Sequence, residues 1–147
     1  MEMEQIARFF DRDKLAKFLD IELVEVSPGQ ATTRMTIQEK HYNGVNITHG
    51  GAIFTLADFA FAVACNSYGT LAVAINVNIS FLKATSKGVL TARAREVAKS
   101  NRLATYQIEI TDEEGSIVAS FQGTCYRMQQ PLPLEGEVTP PSTAGGR

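Results

Sequence analysis

Residues 50–66 read GGAIFTLADFAFAVACN, apolar nearly all round at helical spacing. A surface helix shows one apolar stripe, whereas a helix with no polar face has to be covered on most sides. The small side chains of Gly50, Gly51, Ala52, Ala57, Ala60, Ala62 and Ala64 let other backbones approach it closely. The cover comes from the chain itself. Residues 52–65 are interrupted by Thr55 and Asp58, and they fall short of the ~20 apolar residues that span a bilayer. Thr48 is placed to cap the helix N-terminus. Asp58 is the one charge in the run, and burying a carboxylate costs on the order of several kcal/mol unless it is paired or its pKa shifts.

The rest of the chain supplies the cover as strands. Ile6, Phe9, Phe10, Leu15 and Phe18 recur at helical spacing over residues 3–18, with Asp11-Arg12-Asp13 as the point where that segment can break in two. Residues 20–26 alternate as a strand, Pro28-Gly29 marks a turn, and Ala31, Thr33, Met35 and Ile37 continue the alternation, which predicts a hairpin. Four more strands are predicted over residues 72–82, 88–99, 102–112 and 116–128, the last two joined by a turn at Glu114-Gly115. In the second of these the inner face is Leu90, Ala92, Ala94 and, after a slip, Val97. Strands that cluster instead of alternating with helices give an α+β class with a mostly antiparallel sheet. One long helix enclosed by a curved sheet is the architecture known as the hot-dog. A single domain over residues 1–128 is expected, followed by a Pro/Gly-rich tail, 129–147, whose few apolar residues predict disorder.

A chain of 147 residues can bury a real core without metals or disulfides. Its net charge of −2 offers no general field for nucleic acid, and no basic arm is present. Cys65 and Cys125 form no CxxC pair. They read as small buried hydrophobes of a reducing compartment. Two histidines and two scattered cysteines give no metal-ligand spacing. The acidic N-terminus, MEMEQIARFF, lacks the apolar core of a secretory signal, so a cytoplasmic protein without a membrane contact is expected.

Asn43, His49-Gly50-Gly51, Phe54, Leu56-Ala57-Asp58, Ala60-Phe61-Ala62 and Asn66-Ser67 form the pattern N-x5-HGG-x2-F-x-LAD-x-AFA. It resembles the hot-dog acyl-CoA thioesterases of the phenylacetic-acid degradation (PaaI) type. The segment Ile79-Ser80-Phe81-Leu82-Lys83 is similar to the strand end of that family, with Ala84 where a proline is usual. The resemblance covers roughly residues 15–128. It implies cleavage of a CoA thioester to a free acid, with no cofactor beyond the CoA of the substrate. Asp58 matches the catalytic carboxylate, Gly50 and Gly51 match the helix-start glycines that polarise the carbonyl, and Asn43 and His49 match residues that organise the site. It also implies homodimers that pair into tetramers, and acyl groups such as phenylacetyl and its hydroxylated forms. Medium-chain and 3-hydroxyacyl esters stay open.

The chemistry stands on the residues as well. N–H groups of a first helical turn have no intrahelical partner, and the helix dipole favours a developing oxyanion there. Asp58 can act as general base on water or attack the carbonyl directly. Gly51 and Asp58 are seven residues apart, roughly 10 Å along a helix. One thioester carbon can hardly meet both from the same helix. The spacing therefore predicts a site shared across a two-fold dimer, with two antiparallel helices side by side.

Further candidates follow from residue type and position. His49 offers hydrogen bonding at the helix start, Asn76 a contact to water or to Asp58, and Tyr68 a wall of the acyl pocket or a core role. Lys83, Lys87, Lys99 and Arg102, at strand ends and turns, are candidates for the CoA phosphates or simply solvated charges. Hydratases and dehydratases of this fold pair an acid with a catalytic histidine; here no histidine follows position 49, and the position five after Asp58, where hydratases place it, is Val63. A non-catalytic acyl-CoA sensor would have no use for a buried carboxylate.

Overall fold

A computed structural model describes residues 2–134. At its centre is α3 (Gly50–Asn66), which touches every strand of a six-stranded sheet. Its positions that are not fully buried, Gly50, Gly51, Phe54, Thr55, Asp58 and Ala62, all fall on one side. The helix is thus enclosed on all sides but one, and that side carries the carboxylate.

The strands are β1 (Ile21–Ser27), β2 (Gln30–Thr36), β3 (Thr70–Phe81), β4 (Val89–Lys99), β5 (Leu103–Thr111) and β6 (Ile117–Pro131). They lie in the order β1-β2-β4-β5-β6-β3, and every neighbouring pair is antiparallel. Gly29, at φ +76°, turns β1 into β2 in a backbone conformation that suits glycine. Because β2 lies next to one edge and β3 forms the other, α3 crosses the whole width of the sheet between them.

Buried polar side chains fix the far end of α3. Asn66 donates to the Ala62 and Ala72 carbonyls and accepts the Ala72 N–H. Ser67 accepts the Gly29 N–H at 2.8 Å. In the core, the Phe61 ring lies 5.8 Å from Tyr106 and 5.9 Å from Phe121. A Cβ on Gly123 would sit 2.8 Å from the Phe61 ring. Gly123→Ala is therefore expected to cost about 1–3 kcal/mol by overpacking, measured as a lower urea midpoint at unchanged slope.

The N-terminal segment breaks at Asp11-Arg12-Asp13, as expected, into two helices, α1 (Met3–Phe10) and α2 (Lys14–Phe18), with Asp13 accepting the Ala16 N–H at the start of the second. Other sequence expectations need correction. Leu15 and Phe18 do not join the core: they are 56% and 72% exposed, since α2 turns its Ala16 side inward. On β4 a register shift between Glu96 and Ala98 leaves Val97 exposed, and half-buried Glu96 instead accepts the Tyr68 and Tyr106 hydroxyls. Two tyrosine donors, the Tyr106 side chain buried, outrank one isopropyl group there.

The expected boundary at Met128 also moves. β6 runs on to Pro131, and Leu132 is buried, its N–H on the Gly69 carbonyl. The rest of the predicted tail, 135–147, lies outside the described residues. No helix among the described residues is long and apolar enough to cross a membrane.

Candidate active site

The loop before α3 is held from two sides. Asn43 accepts the N–H groups of Val45 and Ile47 on its side-chain oxygen, at 3.0 and 3.3 Å, and its amide N–H₂ has no acceptor among the described residues. Thr48, expected to cap the helix, is drawn elsewhere. It gives its N–H and its hydroxyl to the Thr85 carbonyl, at 2.8 and 2.9 Å. His49 caps instead, its Nδ1 accepting the Gly51 N–H at 2.8 Å. A ring nitrogen that accepts is unprotonated, so His49 presents an Nε2–H donor at the exposed helix start. His41 is buried, and its ring is occupied by the Gln38 N–H and the Leu19 carbonyl.

The two glycines divide as a result. The Gly51 N–H is taken by His49, whereas the Gly50 N–H has no partner among the described residues. Gly50 packs under the ring of Phe81, the last residue of β3.

Asp58 is half-buried on the open stripe of α3. Among the described residues it accepts no hydrogen bond and has no ion-pair partner. Burial holds its carboxyl above the usual carboxylate range, and the charge of Asp13 pushes it further the same way. The sequence marks Asp13 only as a break between helices, and nothing local shows that its charge acts on Asp58, 45 residues on. Asp58 and Gly50 are eight residues apart on one helix, about 12 Å, too far for one subunit to apply both to a single carbon.

The further candidates fall into separate places. Asn76 is exposed on β3, opposite Thr124 of β6, with no bond to Asp58. Tyr68 follows the C-terminal end of α3, its hydroxyl 3.0 Å from Glu96. It is part of that anchor and stands away from the helix start. Lys83 and Lys87 lie at the helix-start end, in a groove that also holds Asp112, Glu113 and Glu114, and Lys83 is paired with Asp112 at 2.5 Å. Lys99 and Arg102 flank the β4–β5 turn at the opposite end. No group of three or more His, Cys, Asp or Glu side chains able to hold a metal occurs among the described residues.

Comparison with known proteins gives the family of the chain. Residues 45–119 match the profile described as the thioesterase superfamily. The chain is 38% identical to the acyl-coenzyme A thioesterase PaaI of Escherichia coli, over 81% of its own length and 86% of that protein. It is 29% identical to human acyl-coenzyme A thioesterase 13, over 71% and 77% of the two lengths. The structure of the Escherichia coli PaaI protein superposes with a TM-score of 0.83, covering 88% of this chain and 97% of that one at 34% identity. The chain belongs to the thioesterase superfamily, with the hot-dog fold of its PaaI-type members, and is a thioester hydrolase.

Proposed function

We propose that the protein hydrolyses an acyl-CoA thioester, with an aromatic acyl group such as phenylacetyl, to the free acid and CoA in a site shared by two subunits. The observation that carries this is the separation on one helix of a free Gly50 N–H from an unpartnered, half-buried Asp58. Placing the open stripes of two α3 helices side by side and antiparallel brings Asp58 of one subunit to Gly50 of the other. The small residues of the stripe permit close approach. Strand β3, twelve residues long, is an edge strand among the described residues, with Ile75 and Phe81 exposed. Such an edge is a template for a second copy, and pairing β3 with β3 fixes the same two-fold.

The Gly50 N–H, backed by the Asn43 amide, takes the developing oxyanion. Asp58 either accepts the proton of the attacking water or attacks the carbonyl itself to give an anhydride that water then opens. The carbon–sulfur bond breaks, CoA leaves as its thiolate, and the acid is released. Apart from the CoA of the substrate, no cofactor enters these steps. Pairing of dimers into tetramers and a cytoplasmic setting complete the reading.

The test is thiol release across phenylacetyl-CoA, its ring-hydroxylated forms, medium-chain and 3-hydroxyacyl esters. The expected result is hydrolysis with the aryl esters preferred by kcat/KM. Tight binding of every ester with no thiol released would sink the hydrolytic reading in favour of a binding module.

A further inference from the structure

His41 is a buried polar side chain that the hydrolytic steps do not use. It ends a short 3-10 turn, Glu39–His41, and is 1% exposed. A polar ring so deep is stable only when its nitrogens are matched. Both are. Nδ1 lies 2.9 Å from the Gln38 N–H, which can only donate, so Nδ1 accepts and the ring proton sits on Nε2. Nε2–H donates to the Leu19 carbonyl at 2.8 Å. With neither nitrogen open to a ligand, the ring has no proton to exchange with a substrate. What it can do is hold backbone in place.

The backbone of the same residue reaches the helix start. The His41 carbonyl accepts the His49 N–H at 2.7 Å, and the next pair inward, Tyr42 and Thr48, forms an antiparallel bridge. The loop that carries Asn43 is closed in this way. His49 in turn caps α3 through the Gly51 N–H, and Gly50 lies between the two. A chain of hydrogen bonds therefore runs from the Leu19 carbonyl, where α2 gives way to β1, through His41 to His49 and the Gly51 N–H. On its other side the loop is tied to Thr85 and Ser86 through Thr48 and the Tyr42 hydroxyl. Those ties do not involve His49. Among the described residues its N–H has the His41 carbonyl as acceptor.

We propose that His41 is a positioning residue for the oxyanion donor: its ring, pinned between Gln38 and Leu19, sets the carbonyl that orients His49 and so aims the Gly50 N–H. The inference rests on the hydrolytic reading above, in which that N–H takes the oxyanion. A donor of this kind is worth most when it need not move as charge develops. A displacement of about 1 Å can cost on the order of 10²-fold in rate. Leucine at position 41 would fill the space but leave the Gln38 N–H and the Leu19 carbonyl buried without partners. The loop is then expected to shift towards water and to carry His49 with it.

The test reads the helix start directly, by NMR-detected hydrogen exchange of backbone amides in the intact protein. In His41→Leu, exchange at His49 and Gly51 is expected to accelerate at least 10-fold more than at Ala72, whose N–H Asn66 holds at the other end of α3. The kcat for thioester hydrolysis should fall about 10-fold, with KM within about 2-fold of wild type. In a Gly50→Pro background, which already lacks the donor, His41→Leu should cost less than about 2-fold more, because both changes act on one interaction. A role in overall stability alone would speed exchange at Ala72 as much as at His49 and lower kcat by the same factor in both backgrounds. Either result would overturn the assignment, as would unchanged exchange at His49 and Gly51. If His41→Leu does not fold, His41→Asn is read in the same way, since it keeps an acceptor for the Gln38 N–H and loses only the reach to Leu19. A wild type that cleaves no ester would count against the hydrolytic reading, and the exchange rates would still decide whether His41 holds the helix start.

Discussion

Asp58→Asn is expected to lower thioester hydrolysis by about 10²–10⁴-fold, the range for loss of a general acid–base group, and at the same time to raise the melting temperature. The two effects share a cause. Burial and the Asp13 charge disfavour the ionised carboxylate in the folded protein, so its pKa there is raised above that of the unfolded chain. In the window between the two values the folded state binds more protons, and stability falls as pH rises through it. Above the folded pKa the full penalty is present, so at neutral pH Asp58 works against folding. Asparagine removes the charge and keeps the shape. A lower or unchanged melting point at pH 7, with activity lost, would show that Asp58 is a structural partner instead. By the same reasoning, the acid limb of the kcat/KM profile should lie above the ordinary carboxylate range.

The second result concerns dimers made of unlike subunits. Gly50→Pro removes the one helix-start N–H that has no partner. Proline at the first helical position is well tolerated, so α3 should still form. Each homodimeric variant is expected to lose about 10²-fold or more, the usual cost of one oxyanion donor. A mixed dimer of one Gly50→Pro subunit and one Asp58→Asn subunit has one site with both defects and one with neither. It should recover about half of wild-type turnover, since a two-fold places one complete set of groups together. Full inactivity of the purified mixed dimer would mean that Asp58 and Gly50 serve one site within a single subunit.

The sequence was most readable where physics is local. An apolar run without a polar face leaves little choice but a covered helix, and α3 begins and ends where the glycine pair and Asn66 suggest. The two hairpins follow from alternation and turn residues. Long-range competition was not visible. Thr48 and His49 can both cap a helix, and the choice is made by Thr85, 37 residues away, which occupies the threonine. Val97 lost the inner face to Glu96 because two tyrosine hydroxyls, one from a different strand and one from beyond the helix, converge on that carboxylate. Strand-end lysines look alike in one dimension. Only the fold shows that Lys83 already has an acid against it and Lys99 an aromatic ring.

The crossing of α3 from one side of the sheet to the other has a consequence for biosynthesis. The helix is complete once Asn66 has been made, but β4, β5 and β6 follow only between Val89 and Pro131. At roughly 5–20 residues per second, the most apolar segment of the chain waits several seconds for its cover. β3 waits as well, because its one partner within the chain is the last strand to emerge. Nascent chains stalled before β6 should therefore be sticky, protease-sensitive clients of chaperones. A late stop codon would do more harm than the small loss of mass suggests.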